Sequence, residues 1–157
     1  MVLKSELTVA AIAERDGQFL IVEERASRRL VFNQPAGHVE DGESFDAAVV
    51  RETLEETGWT FHPQAVVGIY LWRHHGTRQA ILRVAFCGNV SGHDPHRTLD
   101  DGIVRAHWMT REELVNHAAR LRTPMVLRCI DDYLAGARFS LDLLHRMAVD
   151  AGHAAIP

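Results

Sequence analysis

Hydrophobic and polar positions alternate in short runs over the first part of the chain. Residues 7–15 (LTVAAIAER) and 18–24 (QFLIVEE) are apolar runs joined by Asp16-Gly17, a dipeptide that tolerates the positive φ angles of a tight primed turn, so they predict a β-hairpin. Residues 25–31 (RASRRLV) are basic and irregular and predict an exposed loop. From Ser44 to Thr57 the period changes: Ala47, Val50 and Leu54 recur at helical spacing, Ser44 suits an N-cap, Asp46 suits the positive end of the dipole, and Gly58 suits the C-terminal cap. Strand-like runs follow over 66–73 and 79–90, separated by His74-His75-Gly76-Thr77-Arg78. The segment 88–102 is poor in apolar residues and reads as a loop, and 103–109 reads as a short strand. Thr110 with Glu113 has capping-box spacing and opens a helix; a last helix starts near Thr123-Pro124 and ends near Gly136, and 150–157 reads as a frayed tail.

Strands before and after helices, with no internal repeat, low-complexity tract or linker, predict one α/β (α+β) domain over 1–157, a mixed sheet flanked by helices. A length of 157 residues suits one continuous core. The apolar fraction of 46% and charged fraction of 24% exclude disordered and fibrous classes. Seventeen basic against twenty-one acidic residues leave a net charge of −4, which argues against a general nucleic-acid binder but leaves room for one small phosphorylated ligand. No apolar run approaches a membrane span, and the acids within 1–15 do not suit an export signal, so no membrane partner is expected. Cys87 and Cys129 have no metal or redox spacing and read as buried core residues in a reducing, cytoplasmic compartment. Composition says nothing of oligomeric state.

The helix over 44–57 carries the candidate chemistry. At about 100° per residue, with Arg51 at zero, Glu55 falls near 40°, Glu52 near 100° and Glu56 near 140°. Ala48 falls near 60° on the same wheel and is expected to keep that face low for a ligand. Three carboxylates this close repel one another, so the face is either a solvated acidic surface or a cation site. Hard carboxylate oxygens suit Mg²⁺ or Mn²⁺, which keep several waters and bind phosphate oxygens directly. The preceding loop favours the cation. Glu43 stands eight residues before Arg51 and can hold its guanidinium, and Gly37 is expected at a sharp turn with its carbonyl free as a further oxygen ligand.

Gly37, Glu43, Arg51, Glu52, Glu55, Glu56 and Gly58, followed by the apolar Trp59, resemble the signature of the Nudix hydrolase family in residue type and spacing. Thr53 departs from it, standing where the family usually has an aliphatic residue, and points away from the carboxylates. The resemblance implies an α/β/α sandwich and a metal-assisted attack of water on phosphorus. It implies that Glu55 and Glu56 are the main metal ligands with the Gly37 carbonyl a third, that Glu52 ligates metal or accepts the proton of the attacking water, and that Arg51 and Glu43 orient the cluster. Residues 22–24, Asn33-Gln34-Pro35-Ala36-Gly37-His38 and Leu121-Arg122-Thr123-Pro124 resemble a branch of Nudix phosphatases, and similarity runs from about Leu7 to Leu144. That branch releases orthophosphate from nucleoside tri- and diphosphates and from the pyrophosphates of thiamine and its pyrimidine precursor. The alternatives are a pyrophosphohydrolase of nucleotide sugars, ADP-ribose or oxidised nucleotides, and a non-catalytic Nudix-fold binding module. The full set of carboxylates speaks against the last.

Other residues carry two readings each. His74 and His75 are adjacent, so they face opposite ways on a strand and read as an exposed turn rather than a joint ligand pair. His93, His96 and Asp100-Asp101 lie in the loop before the last strand, where an aspartate either forms a turn or reaches the metal cluster. Trp59 and Trp108 follow core patterns; Trp72 is the stacking candidate. Arg25, Arg28 and Arg29 either hold a terminal phosphate or are solvated.

Overall fold

The computed structural model describes residues 4–76 and 79–147; the tail expected over 150–157 lies outside the described residues. The strands are β1 (Glu6–Arg15), β2 (Gln18–Ala26), β3 (Arg29–Asn33), β4 (Ala36–His38), β5 (Thr60–Arg73), β6 (Ala80–Ser91) and β7 (Ile103–Thr110). The helices are α1 (Phe45–Thr57), α2 (Arg111–Asn116) and α3 (Met125–Leu134).

The first hairpin forms where Asp16-Gly17 predicts it, with both residues at positive φ (53° and 78°) and Arg15 facing Gln18. The two strands then part. β1 runs antiparallel to β4 and parallel to β6, β5 pairs with β6, and β2 lies between β3 and β7. The sheet is therefore mixed and open. β1 is buried from Thr8 to Ala13, because both faces are covered. Val9, Ala11, Val84 and Phe86 pack against Ala48 and Val49 of α1, while Ile12, Ala85 and Cys87 pack toward Leu114, Met125, Cys129 and Ile130 of α2 and α3. This is the expected three-layer arrangement, and Cys87 and Cys129 are free thiols within its core, as read.

Several expectations need correction. The basic segment 25–31 is a second hairpin instead of a loop: Arg25 pairs Leu30, Ala26 pairs Arg29, and Ser27 takes a left-handed φ of 56° at the turn. Arg29 suits β3 because charge on an edge strand discourages further pairing. β5 starts at Thr60, ahead of the expected 66, with Pro63 next to a bulge between Pro63 and Ala65. β6 continues to Ser91, so the long loop covers 92–102 only. α1, by contrast, has the predicted caps: the Ser44 hydroxyl accepts from Ala47 N–H, and Gly58 at φ 71° donates to the Leu54 carbonyl. The capping box of Thr110 and Glu113 is complete.

Candidate active site

α1 sets the site. Its Ala48 and Val49 are fully buried against the sheet, and this anchors the next two turns, from which Arg51, Glu52, Glu55 and Glu56 project near the end of β4. Ala48 therefore does not open a surface to ligand, as its wheel position suggested. It is a core contact, because the helix rolls that stripe onto the sheet.

Arg51 organises the carboxylates. Its Nε and Nη2 donate to the two oxygens of Glu43 at 2.9 Å each, and Nη1 donates to Glu52 Oε1 at 2.9 Å and to Glu55 Oε2 at 3.1 Å. Nη2 also donates to the His38 carbonyl at 3.0 Å, tying the helix to the end of β4. The guanidinium holds the Glu43 carboxyl below the usual carboxylate range, and the surrounding acids hold Arg51 firmly charged. Glu52 goes the other way: burial raises its pKa more than Arg51 lowers it. Glu56 is buried, accepts from Ala36 N–H at 2.9 Å, and is pushed up to about 9 by loss of solvent, with Glu52 adding repulsion.

Gly37 is not at a turn. It lies within β4, paired with Val9, and its φ is outside the left-handed region. The need for glycine is steric: a Cβ there would stand 2.1 Å from Glu52 Cδ and 2.2 Å from both carboxylate oxygens. The Glu52 carboxylate lies so close to the strand that only a hydrogen fits at this position.

The loop 92–102 supplies the last acid. Asp94 N–H donates to the Gly58 carbonyl at 2.9 Å and Asp100 N–H to the Glu55 carbonyl at 3.0 Å, which pins the loop across the end of α1. Glu52, Glu55 and Asp100 each then present a carboxylate oxygen within 4.8 Å of the others. Asp100 thus reaches the carboxylate group and also forms a turn, its carbonyl accepting from Ile103 N–H. The sequence marks Asp100 and Asp101 alike, and which of them approaches the cluster depends on a loop path that no local pattern encodes. Three hard oxygen donors at this spacing, beside a protonated fourth acid whose proton a cation would displace, fit a divalent cation.

Glu52, Glu56, Gly37 and Asp100 line a cavity of about 300 Å³. Its other lining residues include Thr8, Arg83, Arg122 and Thr123, of which sequence reasoning noted only the segment containing Arg122 and Thr123. Arg83 was missed. The available signal was one arginine inside the apolar run of β6. A neighbouring cavity of about 580 Å³ shares Arg122 and Thr123 and is lined also by Arg25, Arg29 and Trp72. Trp59 and Trp108 are instead structural, in edge contact at 6.1 Å with the Arg15 guanidinium over both rings and His93 stacked on Trp59 at 4.5 Å. His74, His75 and His96 are exposed, and none belongs to the carboxylate group.

A carboxylate helix braced by an arginine, set beside a glycine strand and closed by an acidic loop, makes a site suited to a divalent cation. The NUDIX domain model matches residues 4–128, and the chain belongs to the Nudix hydrolases. Members of this family act on pyrophosphate bonds of nucleotide-like phosphorylated molecules and use divalent metals. The chain is 33% identical over 141 residues to Phosphatase NudJ of Escherichia coli K12, covering 90% of this chain and 91% of that protein. It is 46% identical to a NUDIX hydrolase from Nitrosomonas europaea, with a TM-score of 0.89, covering 92% of this chain and 98% of that one. The E. coli ORF135 protein is 26% identical at a TM-score of 0.68, covering 85% and 91% respectively. Among the described residues no helix is long and apolar enough to cross a membrane.

Proposed function

We propose that this chain hydrolyses the terminal phosphoanhydride bond of nucleoside tri- and diphosphates and of thiamine-type pyrophosphates, releasing orthophosphate, with Mg²⁺ or Mn²⁺ as cofactor. The observation that carries this reading is similarity to proteins named Phosphatase NudJ over 90% of the chain, with every carboxylate of the motif in place. One domain spanning 1–157 and a reducing cytoplasmic setting, which suits two buried free thiols, belong to the same proposal.

In this reading Glu55, Glu56 and the Gly37 carbonyl would hold the metal with Asp100, and Glu52 would either complete the ligand set or serve as the base beside it. When bound, the metal lowers the pKa of water and neutralises charge on the phosphoryl oxygens. Glu52 accepts a proton from the attacking water, and its raised pKa makes it a better base than an exposed carboxylate. Arg51 fixes that base by its bond to Oε1, and Glu43 fixes Arg51. The oxygen of water bonds to the terminal phosphorus, the bond from that phosphorus to the bridging oxygen breaks, and the shortened phosphate chain leaves with the electron pair. Trp72, in the adjoining cavity with Arg25 and Arg29, provides a stacking surface for a base or a thiazole or pyrimidine ring.

Phosphorus NMR of the products from GTP and from thiamine pyrophosphate tests the reading. Orthophosphate and GDP are expected first from GTP. Pyrophosphate and GMP would replace terminal cleavage with attack on an internal phosphorus, the chemistry of a nucleotide pyrophosphohydrolase, and leave the family assignment untouched.

A further inference from the structure

Among the described residues, three carry a buried side-chain nitrogen or oxygen without a hydrogen-bond partner: Thr8 Oγ1, Arg83 Nε and Thr123 Oγ1. All three residues line the cavity that holds the carboxylate cluster. They come from separate parts of the chain. Thr8 and Arg83 are register partners on the parallel strands β1 and β6, and Thr123 stands just before α3. Buried polar groups are normally satisfied, so three orphans meeting at one cavity call for a physical account.

Arg83 is the sharpest case. It is 3% exposed, yet among the described residues it forms no ion pair. Its hydrogen bonds go to neutral amides and are long: Nη1 to Gln34 Oε1 at 3.2 Å and to Asn33 Oδ1 at 3.4 Å, and Nη2 to Asn33 Oδ1 at 3.5 Å. Those amides are themselves held, Gln34 by donating to the Val126 carbonyl at 2.7 Å and Asn33 by donating to Glu24 Oε1 at 3.2 Å. The guanidinium is thus positioned but not neutralised. A buried charge without a partner is costly, and an ordered water satisfies hydroxyls without supplying the missing negative charge. A tetrahedral oxyanion supplies both the charge and acceptors for several donors at once.

We propose that Arg83, Thr8 and Thr123 form an oxyanion subsite that seats a phosphoryl group within the same cavity as the carboxylate cluster. Arg122, 42% exposed and 3.6 Å from Glu24, lies at its edge as a weaker, solvated contributor. The phosphoryl group comes either from the substrate or from free orthophosphate; its assignment to substrate rests on the hydrolase reading above. Thr8 and Thr123 each bring a hydroxyl without a hydrogen-bond partner, on a β-branched shape that valine reproduces.

The test separates the subsite from the hydrolysis. Sodium phosphate is titrated into the full-length protein in excess chelator, with melting temperature and calorimetric heat as readouts. Wild type should bind saturably. Arg83→Met should weaken phosphate at least about thirtyfold, and Thr8→Val and Thr123→Val about fivefold each, from the loss of a charged and of a neutral hydrogen bond. The two valine variants keep the test decisive if Arg83→Met fails to fold. With Mg²⁺ and GTP, the same variants should raise KM or lower kcat/KM by comparable factors, which marks the phosphoryl group as substrate-borne. An effect confined to the phosphate titration would make the site one for free orthophosphate. Absence of saturable binding by wild type, or unchanged affinity in Arg83→Met and Thr123→Val, would overturn the proposal. If wild type hydrolyses GTP and the variants keep both KM and kcat, the subsite fails and the hydrolase stands. If phosphate binds through Arg83 but no nucleotide is cleaved, the hydrolase reading fails and the subsite stands.

Discussion

Replacing Gly37 with alanine tests the site at its tightest point. The new methyl would lie 2.1 Å from Glu52 Cδ and 2.2 Å from its oxygens, whereas nonbonded carbon contacts settle near about 3.5 Å. The Glu52 carboxylate must therefore retreat by roughly 1.4 Å, since the methyl is fixed to a paired strand and the carboxylate is the movable partner. A shift of that size exceeds what the 2.9 Å bond from Arg51 Nη1 to Glu52 Oε1 can absorb, and it disperses the group formed with Glu55 and Asp100. Displacement of a reacting group by about 1 Å costs on the order of 10² in rate, so kcat should fall by about that factor. The fold should tolerate the change, because the φ of Gly37 is outside the left-handed region and alanine in a strand is otherwise favoured over glycine by roughly 0.5–1 kcal/mol. Steady-state GTP hydrolysis beside a thermal melt measures both. Glu52→Gln should lower kcat by about the same ~10², and because both variants disable one carboxylate, the double variant should be scarcely slower than either. A Gly37→Ala enzyme within about threefold of wild type, or a double variant slower by the product of the two factors, would refute the steric argument.

Glu55→Gln and Glu56→Gln should each abolish most turnover without unfolding the protein, and excess chelator should stop the wild-type enzyme; phosphate-release assays read both. The metal-free protein should lose stability as pH rises. Glu56 is raised in the folded state to about 9 from an unfolded value of 4.5, so its contribution is full below about 4.5 and declines up to about 9, because the folded state holds a proton that the unfolded state has shed. Melting temperatures in chelator between pH 5 and 9, set beside Glu56→Gln, check this; an equal slope in the variant would assign it elsewhere. Thr53→Leu should keep kcat, since Thr53 is fully buried away from the carboxylates with its hydroxyl donating to the Val49 carbonyl, while the added volume costs about 1–3 kcal/mol in a melt.

The parts of the structure that were legible in the sequence are those built from neighbours. Caps at Ser44 and Gly58, the Asp16-Gly17 turn and the capping box at Thr110 each need only a few adjacent residues, and α1 displays its charged face by its own period. What escaped depends on which elements meet. Ala48 shares an angular sector with the carboxylates, yet it lies one turn earlier, where the sheet covers the helix. The reason for Gly37 lies in a side chain fifteen positions away, and a glycine chosen for closeness looks the same in sequence as one chosen for a turn. Asp100 enters through hydrogen bonds to the end of α1, and Arg83 matters because of what does not touch it. Residues 25–31 read as a loop because the turn between β2 and β3 and the start of an edge strand show little apolar alternation.

The segment from Asn33 to His38 resolves an electrostatic difficulty within the cavity. A buried cation at Arg83 and a buried acid at Glu56 line the same space, and the simplest relaxation would be a direct ion pair that fills it. The chain prevents that from both sides with consecutive residues. Asn33 and Gln34 offer neutral acceptors that hold the guanidinium, and Ala36 N–H donates to Glu56 and holds the carboxyl. Gly37 then admits the Glu52 carboxylate beside the strand, and the His38 carbonyl accepts from Arg51, which gathers the remaining acids. Each side is left with charge that its own neighbours do not cancel, at a cost in stability of the unliganded protein. A divalent cation answers the carboxylates and a phosphoryl group answers Arg83. A metal–polyphosphate complex satisfies both at once, whereas either half alone leaves one charge uncompensated, so these six residues favour the complex over its parts.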